Sequence, residues 1–155
     1  IVQPTIDYAI TIWGNATAYN INKVQRLQNR AARIITNNFN YIDYRGIDLV
    51  HSLGWMDVTQ RFEYFQSILM FKSIHGLAPD YLVNLIVMDI EIRSFDSRTH
   101  DMNVFVPFPE SNLFMKKFEY QGAITWNNLP GDVKDCTSIT SFKNKCRSFI
   151  KDGAT

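Results

Sequence analysis

The sequence predicts a mainly α protein, a helical bundle with a small loop-rich or strand-containing insertion around residues 91–117. Three observations carry this expectation. Apolar residues recur at three- and four-residue steps through several long stretches. The seven glycines and five prolines stand mostly at the ends of those stretches, where helices stop or start. Strand-like alternation is clearest at one place, Asn103-Val104-Phe105-Val106-Pro107.

Taken in order, residues 3–13 read as a short helix with Pro4 in its first turn and Gly14 as its stop. Asn20 is the expected cap of the next helix, 21–36, which has no Gly or Pro and ends in Asn37-Asn38. Its Ile21, Val24, Leu27, Ala31, Ile34 and Ile35 fall on one face, the face expected to pack. A helix over 46–53 should end at Gly54. The longest helix, 57–75, opens with Asp57 and Gln60 at capping-box spacing and is apolar on most sides, as a central buried helix is. Gly76 stops it, and Pro79 opens a short helix through residue 86. Residues 91–109, with Arg93, Arg98 and several Asp, suit short extended segments or a loop-rich hairpin better than helix. Helical spacing returns over 118–128, halted by Pro130-Gly131. It returns again over 138–151, with a Ser cap and a stripe of Ile139, Phe142, Cys146, Phe149 and Ile150.

Composition narrows the function classes. A chain of 155 residues can bury about two-thirds of its unfolded surface in one core. At 46% hydrophobic and 14% aromatic it is neither disordered nor collagen-like. Sixteen Lys and Arg against fifteen Asp and Glu leave +1, which excludes a bulk electrostatic polyanion binder and leaves only local clusters. The nearest approach to a membrane span, 81–88, is short and interrupted by Asn84. Cys136 and Cys146 make no disulfide framework and are too few for a zinc site unless His residues from elsewhere join them. Asn15-Ala16-Thr17 reads as a chance sequon, because nothing else argues for secretion. The chain opens on Ile1 with neither Met nor a signal-like segment, so a fragment is expected.

No active site is legible. Metal-dependent phosphoryl transfer needs converging carboxylates. The candidates, Asp89 with Glu91 and Asp132 with Asp135, read as solvated charges or first-turn dipole partners, and no Asp-Asp pair occurs. His51, His75 and His100 are scattered, and His75 reads as a helix C-terminal cation. There is no G-x-S-x-G elbow and no phosphate-cradling glycine loop. Cys146 reads as a small core residue.

Charge placement says more. Lys23, Arg26, Arg30 and Arg33 form an acid-free row within about a quadrant of the 21–36 helix, beside its apolar face. Gln25, Gln28 and Asn29 are expected to add amides on the same exposed side. Such a row suits a nucleic-acid backbone, since Lys and Arg form charge-assisted bonds to phosphate. A solvated helix face is the alternative. A second acid-free cluster, Lys143, Lys145, Arg147 and Lys151, lies on the last helix. Lys116-Lys117 stands beside Phe118 and Tyr120, aromatics that suit either base stacking or a core.

Seven stretches, in order, resemble the C-terminal region of reverse transcriptases of non-LTR retrotransposons, of the jockey-like and related lineages. They are Ile12-Trp13-Gly14-Asn15, residues 23–36 (KVQRLQNRAARIIT), Leu53-Gly54-Trp55, Met70-Phe71-Lys72 with Gly76-Leu77-Ala78-Pro79, Phe118-Glu119-Tyr120-Gln121-Gly122-Ala123, Trp126-Asn127-Asn128-Leu129-Pro130 and Ser141-Phe142-Lys143. The resemblance implies a thumb-like helical segment over 1–38 and a C-terminal extension over 39–155, packed with it as one unit. It implies template–primer RNA and DNA and the palm domain of the parent polymerase as partners, no membrane, and a location in the nucleus and cytoplasm. The family's aromatic-x-Asp-Asp motif is not in this sequence. Polymerase activity therefore does not carry over to the chain, and Mg²⁺ is expected only in the palm. A helical scaffold or protein-interaction domain, as a lapsed remnant of such an element, is the competing expectation. An independent small enzyme is the third.

Overall fold

Helix-ending chemistry sets the element order in the computed structural model, which describes residues 2–92 and 102–153. Among the described residues there are ten α-helices and no strand. The chain divides into two compact units, Ile1–Phe65 and Gln66–Thr155.

The first unit begins with α1 (Val2–Asp7) and α2 (Ile10–Trp13). The single helix expected over 3–13 is broken, because Ala9 takes a left-handed conformation, φ 52°. The Trp13 indole N–H donates to the Tyr8 carbonyl left free by the break (2.8 Å). Helix α3 (Ala18–Thr36) starts after Thr17, ahead of the expected Asn20 cap. Asn37, φ 48°, ends it in the left-handed turn that Asn tolerates. Helix α4 (Gly46–Ser52) follows, and Gly54 supplies φ 69°. A side chain on Gly46 would strike Asn29, so this glycine sets the close approach of α4 to α3.

Helix α5 (Val58–Ile74) opens on the expected capping box. Asp57 Oδ1 accepts from the Gln60 N–H (2.8 Å) and Gln60 Oε1 accepts from the Asp57 N–H (3.0 Å). Only Thr59 and Glu63 of its residues are exposed. In the first unit Val58 and Phe62 join Ile6 and Ile10 in a core flanked by Trp13, Ile21, Val24 and Phe65. Arg61 grips the Asp7 carboxylate with two guanidinium nitrogens, tying α1 to α5. A second cluster joins Ala32 to Leu49 and Val50.

In the second unit, Gly76 at φ 66° closes α5, with Leu77 N–H returning to the Lys72 carbonyl (2.7 Å). Then come α6 (Asp80–Val83), α7 (Asp89–Ile92), a 3-10 turn at Phe114–Lys116, α8 (Phe118–Asn127), α9 (Gly131–Lys134) and α10 (Ile139–Asp152). The helix after Pro79 is shorter than expected, and α9 falls where the sequence predicts only a Pro-Gly stop. Ser138 caps α10 as expected, accepting from the Ser141 N–H (3.2 Å). Phe142 stacks between Phe71 (4.5 Å) and Trp126 (5.7 Å), and Cys146 and Ile150 continue the buried edge of α10. Gly122 leaves room for the Met70 sulfur.

The insertion lies partly outside the described residues, which exclude 93–101 and with them Arg93, Arg98 and His100. Val104 forms an isolated antiparallel bridge with Met88. Its other edge is held by a side chain rather than a strand. Asn127 accepts from Val104 N–H (2.9 Å) and donates to the Val104 carbonyl (2.8 Å). Beside it Trp126 donates to the Met102 carbonyl (2.7 Å), and Lys134 donates to Asn103 Oδ1 (2.8 Å) and the Asn127 carbonyl (2.9 Å). The Trp-Asn-Asn-Leu-Pro stretch is thereby a strap over residues 102–104.

Candidate nucleic-acid interface

The row on α3 is built by what its other side must do. Gln28 is fully buried and donates to the Met56 carbonyl (2.9 Å). Gln25 donates to Gln28 (2.9 Å) and Asn29 (2.8 Å), and its Oε1 accepts from Val58 N–H (2.9 Å), an orphan donor at the start of α5. The inward seam of α3 is therefore partly polar, Gln25-Gln28-Asn29-Ala32. The expectation that these amides face outward is corrected, because the unpaired N–H at the α5 terminus and the Met56 carbonyl need partners inside the unit.

That seam rotates the helix away from its apolar pattern. Ile21 and Val24 pack, whereas Leu27 (66% exposed), Ile34 and Ile35 stand in water. Lys23, Arg26 and Arg30 lie on the outward side, all exposed. No hydrogen bond or ion pair among the described residues engages the Arg26 or Arg30 guanidinium. The Lys23 ammonium sits 4.2 Å from the ring centre of Tyr19. Steps of three and four residues put these three cations within about 60° of one another around the axis.

Arg33 does not belong to that row. It is 5% exposed and donates to the carbonyls of Asn38 (3.4 Å), Asn40 (3.2 Å) and Tyr44 (2.7 Å), with the Tyr41 ring stacked 4.1 Å from its guanidinium carbon. Its Nη1 and Nη2 groups bond three carbonyls of the loop that follows α3, so it clamps that loop from within. Arg45 is a cation that spacing did not reveal. It is exposed and directly precedes Gly46, the residue against Asn29. Nothing in a single Arg between Tyr44 and Gly46 signals its place.

The other candidates are dispersed. Among the described residues no three His, Cys, Asp or Glu side chains converge as a metal site. Asp89 is buried in the first turn of α7, and Asp132 stands in the first turn of α9. His51 faces Asp57 (3.8 Å), and His75 stacks on Phe71 (4.0 Å) at the end of α5. Cys136 and Cys146 are buried free thiols. On α10, Lys143, Lys145, Arg147 and Lys151 are exposed, and Lys145 donates to the Asp132 carbonyl (2.8 Å). Lys117 pairs with Glu119 (3.5 Å) and covers Phe114 (4.6 Å), while Phe118 and Tyr120 are half-buried.

No helix among the described residues is long and apolar enough to cross a membrane. Compared with known proteins, the chain matches no family model, no curated protein and no solved structure.

Proposed function

We propose that this chain is a non-catalytic, nucleic-acid-gripping part of the RNA-directed DNA polymerase of a non-LTR retrotransposon. The observation that carries the gripping role is the outward, acid-free row of Lys23, Arg26 and Arg30 on α3. The polymerase assignment rests on the ordered stretches that resemble that family. Unpaired guanidinium groups on a rigid helix hold phosphates through charge-assisted bonds and release counterions, which is sequence-independent binding. Template–primer RNA and DNA and the palm of the parent enzyme are then its partners, Mg²⁺ and the catalytic aspartates belong to the palm, and the setting is the nucleus and cytoplasm. Replacing Arg26 and Arg30 with Gln should weaken duplex binding and reduce the log–log salt slope by about 0.9 for each phosphate that is no longer neutralised. Unchanged affinity and slope would refute the role.

A second reading draws on a specific observation, the exposed Leu27, Ile34 and Ile35 beside the cations. Phosphates do not cover large aliphatics, whereas a protein partner does. A folded chain that self-associates and ignores RNA–DNA hybrid at low salt would favour a helical scaffold, the inactive remnant of such an element.

A further inference from the structure

The loop after α3 is held far more firmly than a connection needs. Arg33 braces three of its carbonyls from within. Asn38 Oδ1 accepts from Asn40 N–H (3.0 Å), and Asn40 Oδ1 accepts from the N–H groups of Ile42 (3.0 Å) and Asp43 (3.1 Å). Asn40 also donates to the Asp43 carboxylate (2.6 Å). Yet this fixed backbone displays apolar side chains to water: Tyr41 is 72% exposed, Ile42 95%, and Phe39 is exposed beside them. Ordering a loop in advance removes the entropy cost of binding through it, and rigid aromatics are efficient anchors.

Tyr41 has a counterpart. Tyr19, at the opposite end of α3, is 70% exposed and stacked against Lys23 as Tyr41 is against Arg33. Each ring thus has a cation behind one face and a broad exposed surface. Residues 19 and 33 are separated by about 21 Å along the axis at 1.5 Å per residue. That is the span of about six stacked nucleotides at 3.4 Å each. Between the two rings stand Lys23, Arg26 and Arg30.

We infer that the ligand of this face is nucleic acid with unpaired bases, with Tyr41 and Tyr19 as stacking platforms at the ends of a phosphate-binding row. This rests on the nucleic-acid reading above and deepens it. In a continuous duplex the base faces cover one another, so an exposed tyrosine gains a base only where the strand is single or the duplex ends. Aromatic platforms interleaved with cations bind such strands without reading sequence.

The test uses the full chain and fluorescence anisotropy with two probes, a short blunt RNA–DNA hybrid and the same hybrid with a single-stranded extension of about six nucleotides. The extension should tighten binding on the order of tenfold. Tyr41→Leu and Tyr19→Leu together should abolish that gain while leaving the salt slope for the blunt hybrid, which the phosphate contacts set, unchanged. Tyr41→Phe, which keeps the ring, should retain the gain. Equal affinity for the two probes, or a gain that survives both Leu substitutions, overturns the inference and leaves the phosphate row standing. Failure of the folded protein to bind either probe at low salt overturns both.

Discussion

Helices α3 and α10 look alike in sequence and are put to different use. Each has a run of four cations without an acid, interleaved with apolar residues at helical spacing. In α10 the pattern and the packing agree except at Phe149, which is exposed. Phe142, Cys146 and Ile150, four residues apart, are buried, and the cations ride outside the buried edge. In α3 they disagree. Glutamines at 25 and 28 occupy the inward seam because they bond to the start of α5 and to Met56, and Leu27, Ile34 and Ile35 are left outside. An amphipathic basic helix whose stripe is consumed by its own fold is a core element. One whose stripe remains exposed beside unpaired cations has surface to give to a partner.

The difference between the two helices is largest at the packed side. Phe142→Ala should cost about 3–5 kcal/mol in urea unfolding, since the ring stacks with both Phe71 and Trp126. Leu27→Ala on α3 should stay within about 0.5 kcal/mol, because its side chain is in water. A comparable loss from both would contradict that difference.

Next in size is the clamp that separates Arg33 from the row. Arg33→Ala removes three hydrogen bonds to the loop carbonyls and should cost about 1–3 kcal/mol. Arg33→Lys should recover little, lacking the fork that reaches three acceptors. If neither variant lost stability while both lost nucleic-acid affinity, Arg33 would rejoin the binding row.

The strap in the second unit gives a smaller, pH-dependent effect. Burial pushes the Lys134 ammonium below the usual lysine range, against the attraction of Asp135. Its pKa in the folded state thus lies below the unfolded value of about 10.4. Its favourable contribution is complete above that unfolded value and is lost as pH falls through the folded one. Separately, Lys134→Met should cost about 1 kcal/mol at neutral pH through the lost bonds to Asn103 and Asn127. The deficit should widen as pH rises toward about 10, because only the wild type gains stability there. A deficit that narrows with pH would reverse the assignment.

Local chemistry made much of this fold legible. Gly54 and Gly76 end helices as their positions implied, Asp57 and Gln60 form their capping box, and Ser138 caps α10. What escaped was chemistry between distant segments. Nothing around Gln28 announces Met56, 28 residues away, and nothing around Asn127 announces Val104. Periodicity assigns glutamine to water and leucine to the core, so it places the amides outside and Leu27 inside. Of the four cations, Lys23, Arg26 and Arg30 face outward because their angles set them opposite Gln28 and Ala32. Arg33 shares their spacing and departs from them because the chain turns at Asn37 and brings carbonyls over it. The tyrosines at 19 and 41 carried no sequence signal, since their meaning depends on exposure and on the cation behind each ring.

The central claim is that α3, and not α10, meets nucleic acid. The most direct measurement is the salt dependence of binding to a short RNA–DNA hybrid, by fluorescence anisotropy, for the wild type and two sets of charge-neutralised variants. We expect a steep negative slope that flattens when Lys23, Arg26 and Arg30 are neutralised and does not change when Lys143 and Arg147 are. A slope that follows the α10 residues instead, or no binding at low salt by a folded chain, would contradict it.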